Sequence, residues 1–262
     1  MPEVTSPYAP GTPCWVDLMV PDQQAALDFY RDLFSWEGEP GPPETGGYAV
    51  CTLNGKAVAG IVTAMAPDGQ PTPPTTWTSY LATADADAAI TVIAGNGGTV
   101  MVPTMDVLTL GRLAIAADPT GAVFGLWQAR DFVGAQVVNE PGALIWNELN
   151  TTDPDAAKGF YSVALGVEAA PMEGAPDYFS LSVDGRTVGG MQGFAQLPPD
   201  IPSHWLTYFA VEDTDNTVDA LIRAGGHVLM PPFDMVAGRM AVVQDPQGGT
   251  FAVINVTAPE PA

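Results

Sequence analysis

The chain has 262 residues, of which 47% are apolar, and 30 acidic side chains against 8 basic ones give a formal net charge of −22. Phosphate binding needs clustered Lys and Arg, so this balance speaks against nucleic acid and anionic membranes as partners, while the apolar content speaks against disorder. No apolar run nears the roughly 20 residues of a membrane-spanning helix, and the first residues, Met1 to Tyr8, lack the basic and apolar regions of a secretory leader.

The predicted elements follow from patterning. Residues 14–20 are apolar and bounded by Pro13 and Pro21, as in a strand. Asp22 is placed to cap a helix ending at Phe34, with Ala26, Phe29, Tyr30 and Leu33 at helical spacing. Strands at 48–53 and 57–63 flank Asn54-Gly55, a hairpin signature. Beyond the proline-rich stretch 67–74 come a strand at 77–83 and a helix capped by Asp85 or Asp87 that reaches Ala94. Strands at 100–103, 113–118 and 123–128 end the half. The second half opens with a strand at 144–150 and a helix started by Asp153-Pro154, where proline suits the first turn. Strands at 178–183 and 187–194 and an inter-module loop at 197–202 follow. A strand at 205–211, a helix from Asp213 or Asp215 to Ala224, and strands around Val228, Met240 and Phe251 complete the pattern. Each half reads as βαβββ followed by βαβββ.

The two halves repeat one another. Trp15 and Trp146 stand 131 residues apart, as do Tyr30 and Tyr161. Trp77 and Tyr80 match Trp205 and Tyr208, Gly111-Arg112 matches Gly238-Arg239, and the Asp-Pro-x-Gly turn from Asp118 matches that from Asp245. A period this long indicates a duplicated domain rather than a solenoid. The expected division is a first domain at 10–131, a linker at 132–142 and a second domain at 143–257. Cys14 and Cys51, both in the first half, suggest no disulfide framework and a cytoplasmic protein with reduced thiols.

Paired βαβββ modules, a strand–Asp–helix ending in Phe-Tyr, and a late Asp-Pro-x-Gly before the final strand resemble the vicinal oxygen chelate superfamily. That group holds glyoxalases, extradiol dioxygenases, and bleomycin- and fosfomycin-resistance proteins. The resemblance implies an α+β fold of two tandem domains, each a curved sheet around a cup-shaped cavity. It also implies a divalent metal held in the cup by His, Gln or Glu. The matching positions here are Trp15, Gly60, Thr78 and Gly125 in one half and Trp146, Gly190, Leu206 and Ala252 in the other. None is a good ligand, and only His204 and His227 are present in the chain. His227 lies in a Gly-Gly-His turn at the expected surface. The expectation is a protein with no metal cofactor.

Strand alternation assigns the side chains that share the cups. Trp15, Asp17, Met19, Thr78, Tyr80 and Trp127 fall in the first, and Trp146, Glu148, Asn150, His204, Leu206 and Tyr208 in the second. Aromatic walls with few polar groups suit a hydrophobic or aromatic small molecule. Glu148, His204 and Tyr208 are the candidate acid–base set, able to serve an isomerisation, cyclisation or lyase-type reaction in secondary metabolism or detoxification. The other substrate-facing residues need only bind. The same walls without catalysis would make an antibiotic-sequestering resistance protein, and Glu148 with His204 could serve as relocated metal ligands of a dioxygenase or lyase. Trp77 and Trp205 are expected under a helix, and Cys14 away from the cup. Arg112 and Arg239 are expected as structural groups or as partners of Asp17 and Glu148. The assembly is expected to be a monomer or homodimer.

Overall fold

A computed structural model describes residues 3–66, 72–195 and 201–256, and the predicted inter-module loop lies largely outside them, on 196–200. The first half contributes β1 (Pro13–Val20), α1 (Gln23–Phe34), β2 (Ala49–Leu53), β3 (Lys56–Thr63), β4 (Thr76–Ala82), α2 (Ala86–Gly95), β5 (Thr99–Val107), β6 (Gly111–Ala117) and β7 (Val123–Ala129). The second contributes β8 (Leu144–Thr151), α3 (Pro154–Leu165), β9 (Glu168–Pro171), β10 (Tyr178–Val183), β11 (Arg186–Gly193), β12 (His204–Ala210), α4 (Thr214–Arg223), β13 (His227–Met235), β14 (Gly238–Gln244) and β15 (Thr250–Val256). They form a seven-stranded sheet, β2-β3-β1-β4-β7-β6-β5, and an eight-stranded one, β13-β14-β15-β12-β8-β11-β10-β9.

Each helix begins at an aspartate whose side chain accepts the backbone N–H three residues on: Asp22, Asp85, Asp153 and Asp213. Asp87 and Asp215, the alternative caps, instead pair with Arg112 and Arg239. Those arginines therefore tie helix to strand and do not reach Asp17 or Glu148.

Three further differences from the predicted pattern have local causes. The first module is one strand short. Where the second half forms β9, the first has only an isolated bridge between Glu37 and Thr52. The intervening Pro40, Pro42 and Pro43 lack the N–H groups a ladder requires. Strands β5 and β13 run longer than predicted, through Pro103 and through Pro231-Pro232, with register shifts there. They can do so because both are sheet edges.

The helices cover one face of each sheet, and these two faces pack together. One core joins β1 and α1 to Phe209, Val211, Val218, Leu221 and Phe251 of the second half. The other joins β4, α2 and β7 to β8, α3 and Trp205. Trp77 and Trp205 lie in these cores, as strand parity requires.

The repeated motifs cross between domains. The Trp77 indole donates to the Tyr30 hydroxyl (3.2 Å), which donates to Asp245 (2.9 Å). Trp205 donates to Tyr161 (2.9 Å), which donates to Asp118 (3.1 Å). Each aspartate also holds its own turn, Asp245 accepting from Gln247 and Gly249 and Asp118 from Thr120 and Ala122. The helix-end tyrosine of one domain thus completes the Asp-Pro-x-Gly turn of the other.

Tyr30→Phe removes a hydroxyl that both accepts and donates in a buried place, so it should cost about 1.5–3 kcal/mol. Because both cores are shared, urea unfolding of wild type and variant should each follow a single transition. Two separated transitions in wild type would contradict the shared-core arrangement.

Candidate functional site

With the helices inward, the opposite, concave face of each sheet points outward, so the predicted residues form two separate cups, each built from one half of the chain. In the first, β1 runs between β3 and β4 and sets Asp17 between Gly60 and Thr78, with Trp15 opposite Tyr80. Tyr80 in turn lies beside Gly125 of β7. In the second, Glu148 of β8 lies between Gly190 and Leu206, Trp146 opposite Tyr208, and Asn150 opposite His204.

Asp17 anchors a closed network. One carboxylate oxygen accepts from the hydroxyls of Tyr80 (2.9 Å) and Tyr48 (3.1 Å), and the Trp15 indole donates to the Tyr48 hydroxyl (2.7 Å). Asp17 is only 7% exposed. Burial lifts its pKa to about 6, while hydrogen bonds from Tyr80, Tyr48 and Thr78 pull the other way. Burial, and then the neighbouring Asp17 charge, push both phenols well above their ordinary value.

The second cup repeats the network. Glu148 accepts from the Tyr208 hydroxyl (3.0 Å), and the Trp146 indole donates to the Tyr178 hydroxyl (3.2 Å). Tyr178 also bonds to Glu148, and burial raises the Glu148 pKa against the hydrogen bonds of Tyr208, Tyr178 and Asn150. Glu148, Trp146 and Tyr178 each keep part of their solvent access.

Tyr48 and Tyr178 were not among the residues singled out from the sequence. They stand 130 residues apart, the same offset as Gly60 and Gly190, and that shared spacing was the available signal. It has a steric meaning. A Cβ at Gly60 or Gly190 would collide with the hydroxyl of Tyr48 or Tyr178, and one at Gly125 with the ring of Tyr80. Glycine stands at these positions because a tyrosine fills the space that a ligating side chain would need.

The family's metal does not fit this donor set. The four matching positions in each cup carry indoles, glycine, threonine, leucine or alanine. Among the described residues no three His, Cys, Asp or Glu side chains come together. His204 shares the cup face with Leu206 and Tyr208, but at the rim, where its Nδ1 lies 2.9 Å from the Pro202 carbonyl. No hydrogen bond joins it to Glu148 or Tyr208 among the described residues. Met19, the counterpart of Asn150, lies at the same level of the first cup.

The cups differ in what covers them. In the first, Phe132 packs edge-on against Trp15 (ring centroids 4.9 Å apart) and Trp127 (6.0 Å), and Tyr8 and Ala135 close over the same cluster. Cys14 belongs to this cup-side cluster rather than to the core on the helix side, because a register shift between Pro13 and Trp15 turns it. In the second, Leu206, Tyr208, Met240, Ala252 and Ile254 make a buried floor. Phe233 and Met235 stand beside it on the outer strand, exposed.

Comparison with known proteins agrees with this architecture. The chain is 44% identical over 257 residues to the Mycobacterium tuberculosis (strain CDC 1551 / Oshkosh) protein named "Putative glyoxylase CFP32", covering 95% of this chain and 97% of that one. It is 37% identical over 268 residues to "Anthracycline biosynthesis protein DnrV" of Streptomyces peucetius, covering 97% of each. Among solved structures, the Mn(II)-bound glyoxalase from Novosphingobium aromaticivorans matches with a TM-score of 0.60 at 15% identity, over 94% of this chain and 82% of that one. The 2,3-dioxygenase LapB from Pseudomonas sp. KL28 matches with a TM-score of 0.60 at 15% identity, over 98% and 96%. These two show a common fold. The family profile matches both halves, at residues 14–126 and 143–253, and the chain belongs to the Glyoxalase/Bleomycin resistance protein/Dioxygenase superfamily.

Proposed function

We propose that this protein is an enzyme of small-molecule metabolism that moves protons on a hydrophobic, aromatic substrate in its second cup, without a metal ion. The carrying observation is that a carboxylate, two phenols and an indole occupy, in each cup, the region where the family's ligands would stand. Two curated relatives named as anthracycline biosynthesis proteins support a place in secondary metabolism.

The division of labour follows from the chemistry of each group. Glu148 takes or returns the proton, since burial brings its affinity for a proton above that of an ordinary carboxylate. Tyr208 and Tyr178 hold its orientation by giving it their hydroxyl hydrogens, and once Glu148 has taken a proton those hydrogens are released to turn to an oxygen of the substrate on which charge develops. His204 serves the rim, where its ring meets solvent. Trp146, Asn150 and Leu206 shape the wall. Such a set fits isomerisation, cyclisation or elimination next to a carbonyl. Asp17, Trp15, Met19, Thr78, Tyr80 and Trp127 belong to the covered first cup.

Glu148→Gln should lower turnover about 10²–10⁴-fold while changing ligand affinity far less. Identical product formation by the variant and wild type would remove Glu148 from the chemistry. A wild type that binds aromatic ligands and returns them unaltered would point to sequestration instead. Elemental analysis of the purified protein should find well under one transition-metal ion per chain, and chelator should leave turnover unchanged.

Asp17 carries a stability signature. Its pKa in the folded protein lies above the unfolded value of 3.8, at about 6. Folding is therefore favoured by this group below pH 3.8, and that contribution is lost as pH rises to about 6. The lost contribution is at most about 3 kcal/mol for this shift. Asp17→Asn should flatten that part of the profile, so the stability difference between variant and wild type should grow in the variant's favour from pH 4 to pH 6. A constant difference across that range would rule the shift out.

A further inference from the structure

The two cups share an acid–phenol–indole network but have unequal coverings, and the covering of the first is aromatic. We propose that the first cup is filled by the chain itself, the Phe132 ring standing where a ligand ring stands in the second cup, so that the protein takes one aromatic ligand per chain, edge-on to Trp146. This rests on the reading of the second cup as an aromatic site and adds which cup is open, in what number, and in what pose.

Phe132 does not lie on the first cup by accident of a loose loop. The Trp127 indole donates to its carbonyl (2.9 Å), and the strap that follows is hydrogen-bonded to the floor through Ala135 N–H to the Cys14 carbonyl (2.8 Å) and Gln136 N–H to the Ala57 carbonyl (2.7 Å). The Gln136 side chain accepts from Ala57 N–H, and the Tyr8 hydroxyl donates to the Ala135 carbonyl (2.6 Å). Gly134 has φ +107, and a Cβ there would collide with the Cys14 carbonyl, so glycine is what lets the strap approach. The T-shaped contact of Phe132 on Trp15 is a favoured aromatic geometry.

The second cup keeps the acid–phenol–indole network, and among the described residues it has no aromatic filling. The residues matching Tyr8, Trp127 and Phe132 at the repeat offsets are Asn139, Ile254 and Pro259, none of them aromatic. Among the described residues no ring packs on Trp146. Trp15 is 4% exposed, whereas Trp146 keeps part of its access. Phe233 pairs in register with Met240 of the buried floor, and Met235 follows on the same face, so an exposed aromatic and thioether wall borders the second cup. A flat ring entering beside Trp146 would meet that indole as Phe132 meets Trp15, with Ile254 in place of Trp127 on its other side and its polar substituent toward Glu148. Among the described residues the charged group on that floor is the Glu148 carboxylate, which selects a neutral or cationic ring with a hydrogen-bond donor, such as a phenol.

The test is calorimetric titration of the full chain with 2-naphthol. Wild type should bind one molecule per chain, and Trp146→Ala should weaken that binding at least tenfold. Phe132→Ala should open the first cup and bind two. Phe132→Leu, which keeps most of the apolar fill, covers the case in which the alanine variant does not fold, and 2-naphthol should raise its melting temperature more than that of wild type. Two equivalent sites in wild type would overturn the filled-cup assignment while leaving the aromatic reading intact, as would Phe132 variants indistinguishable from wild type. No binding to wild type together with one site in Phe132→Ala would instead overturn the aromatic reading of the second cup.

Discussion

The exchange of hydrogen bonds between the two domains is the constraint on which the rest depends. Tyr30 of the first helix completes the turn at Asp245, and Tyr161 of the third helix completes the turn at Asp118. Each phenol takes an indole N–H on one side and gives its own hydrogen to a carboxylate on the other, in surroundings closed to water. A buried carboxylate without such a partner would be costly. The pairing therefore fixes helix faces inward and, with them, both concave faces outward. At the centre, Ser79 donates to Asn147 (2.7 Å) and lies 3.3 Å from Thr207, a small polar seam between the halves.

Turning the cups outward separates two tasks. The inner faces carry the stability of both domains at once, through cores that neither half completes alone. The outer faces are then free to differ. In each, the chain has retained a sheet shape that its family shares with metal enzymes and placed an acid–phenol–indole network on it. The networks are closed in the first cup and partly open in the second, where Glu148 retains solvent access. Duplication followed by this divergence gives one molecule a cup covered by its own strap and one whose Trp146, Glu148 and Tyr178 keep part of their solvent access among the described residues.

The strand–helix order, the four aspartate caps and the repeat could be followed in the residues because each depends on neighbours close in sequence. The same holds for the inward placement of Trp77 and Trp205 and for the shared face of Asp17 with Trp15 and of Glu148 with Trp146, which follow from strand alternation. The missing strand near Pro40 to Pro43 was also written locally, in prolines that cannot join a ladder. What escaped was long-range. Arg112 and Arg239 turned to Asp87 and Asp215, because the helix N-terminus happens to lie beside the strand that carries each arginine. Tyr48 and Tyr178 entered the cups from loop and strand ends 31 and 30 residues from the carboxylates they bind.

By itself, then, the sequence determined a duplicated α+β chain with acidic groups and aromatics on the concave faces and poor ligands, glycine at Gly60, Gly125 and Gly190 among them, where the family places metal ligands. These follow from local periodicity and from comparison of one half with the other. Only the tertiary structure decided that the glycines make room for tyrosine, that the repeated Phe-Tyr and Asp-Pro-x-Gly motifs bind each other across domains, and that Phe132 closes one cup while, among the described residues, no ring packs on Trp146 in the other. Those outcomes depend on which surfaces meet once the sheets fold over their helices, and contacts between residues distant in the chain leave no periodic trace in it.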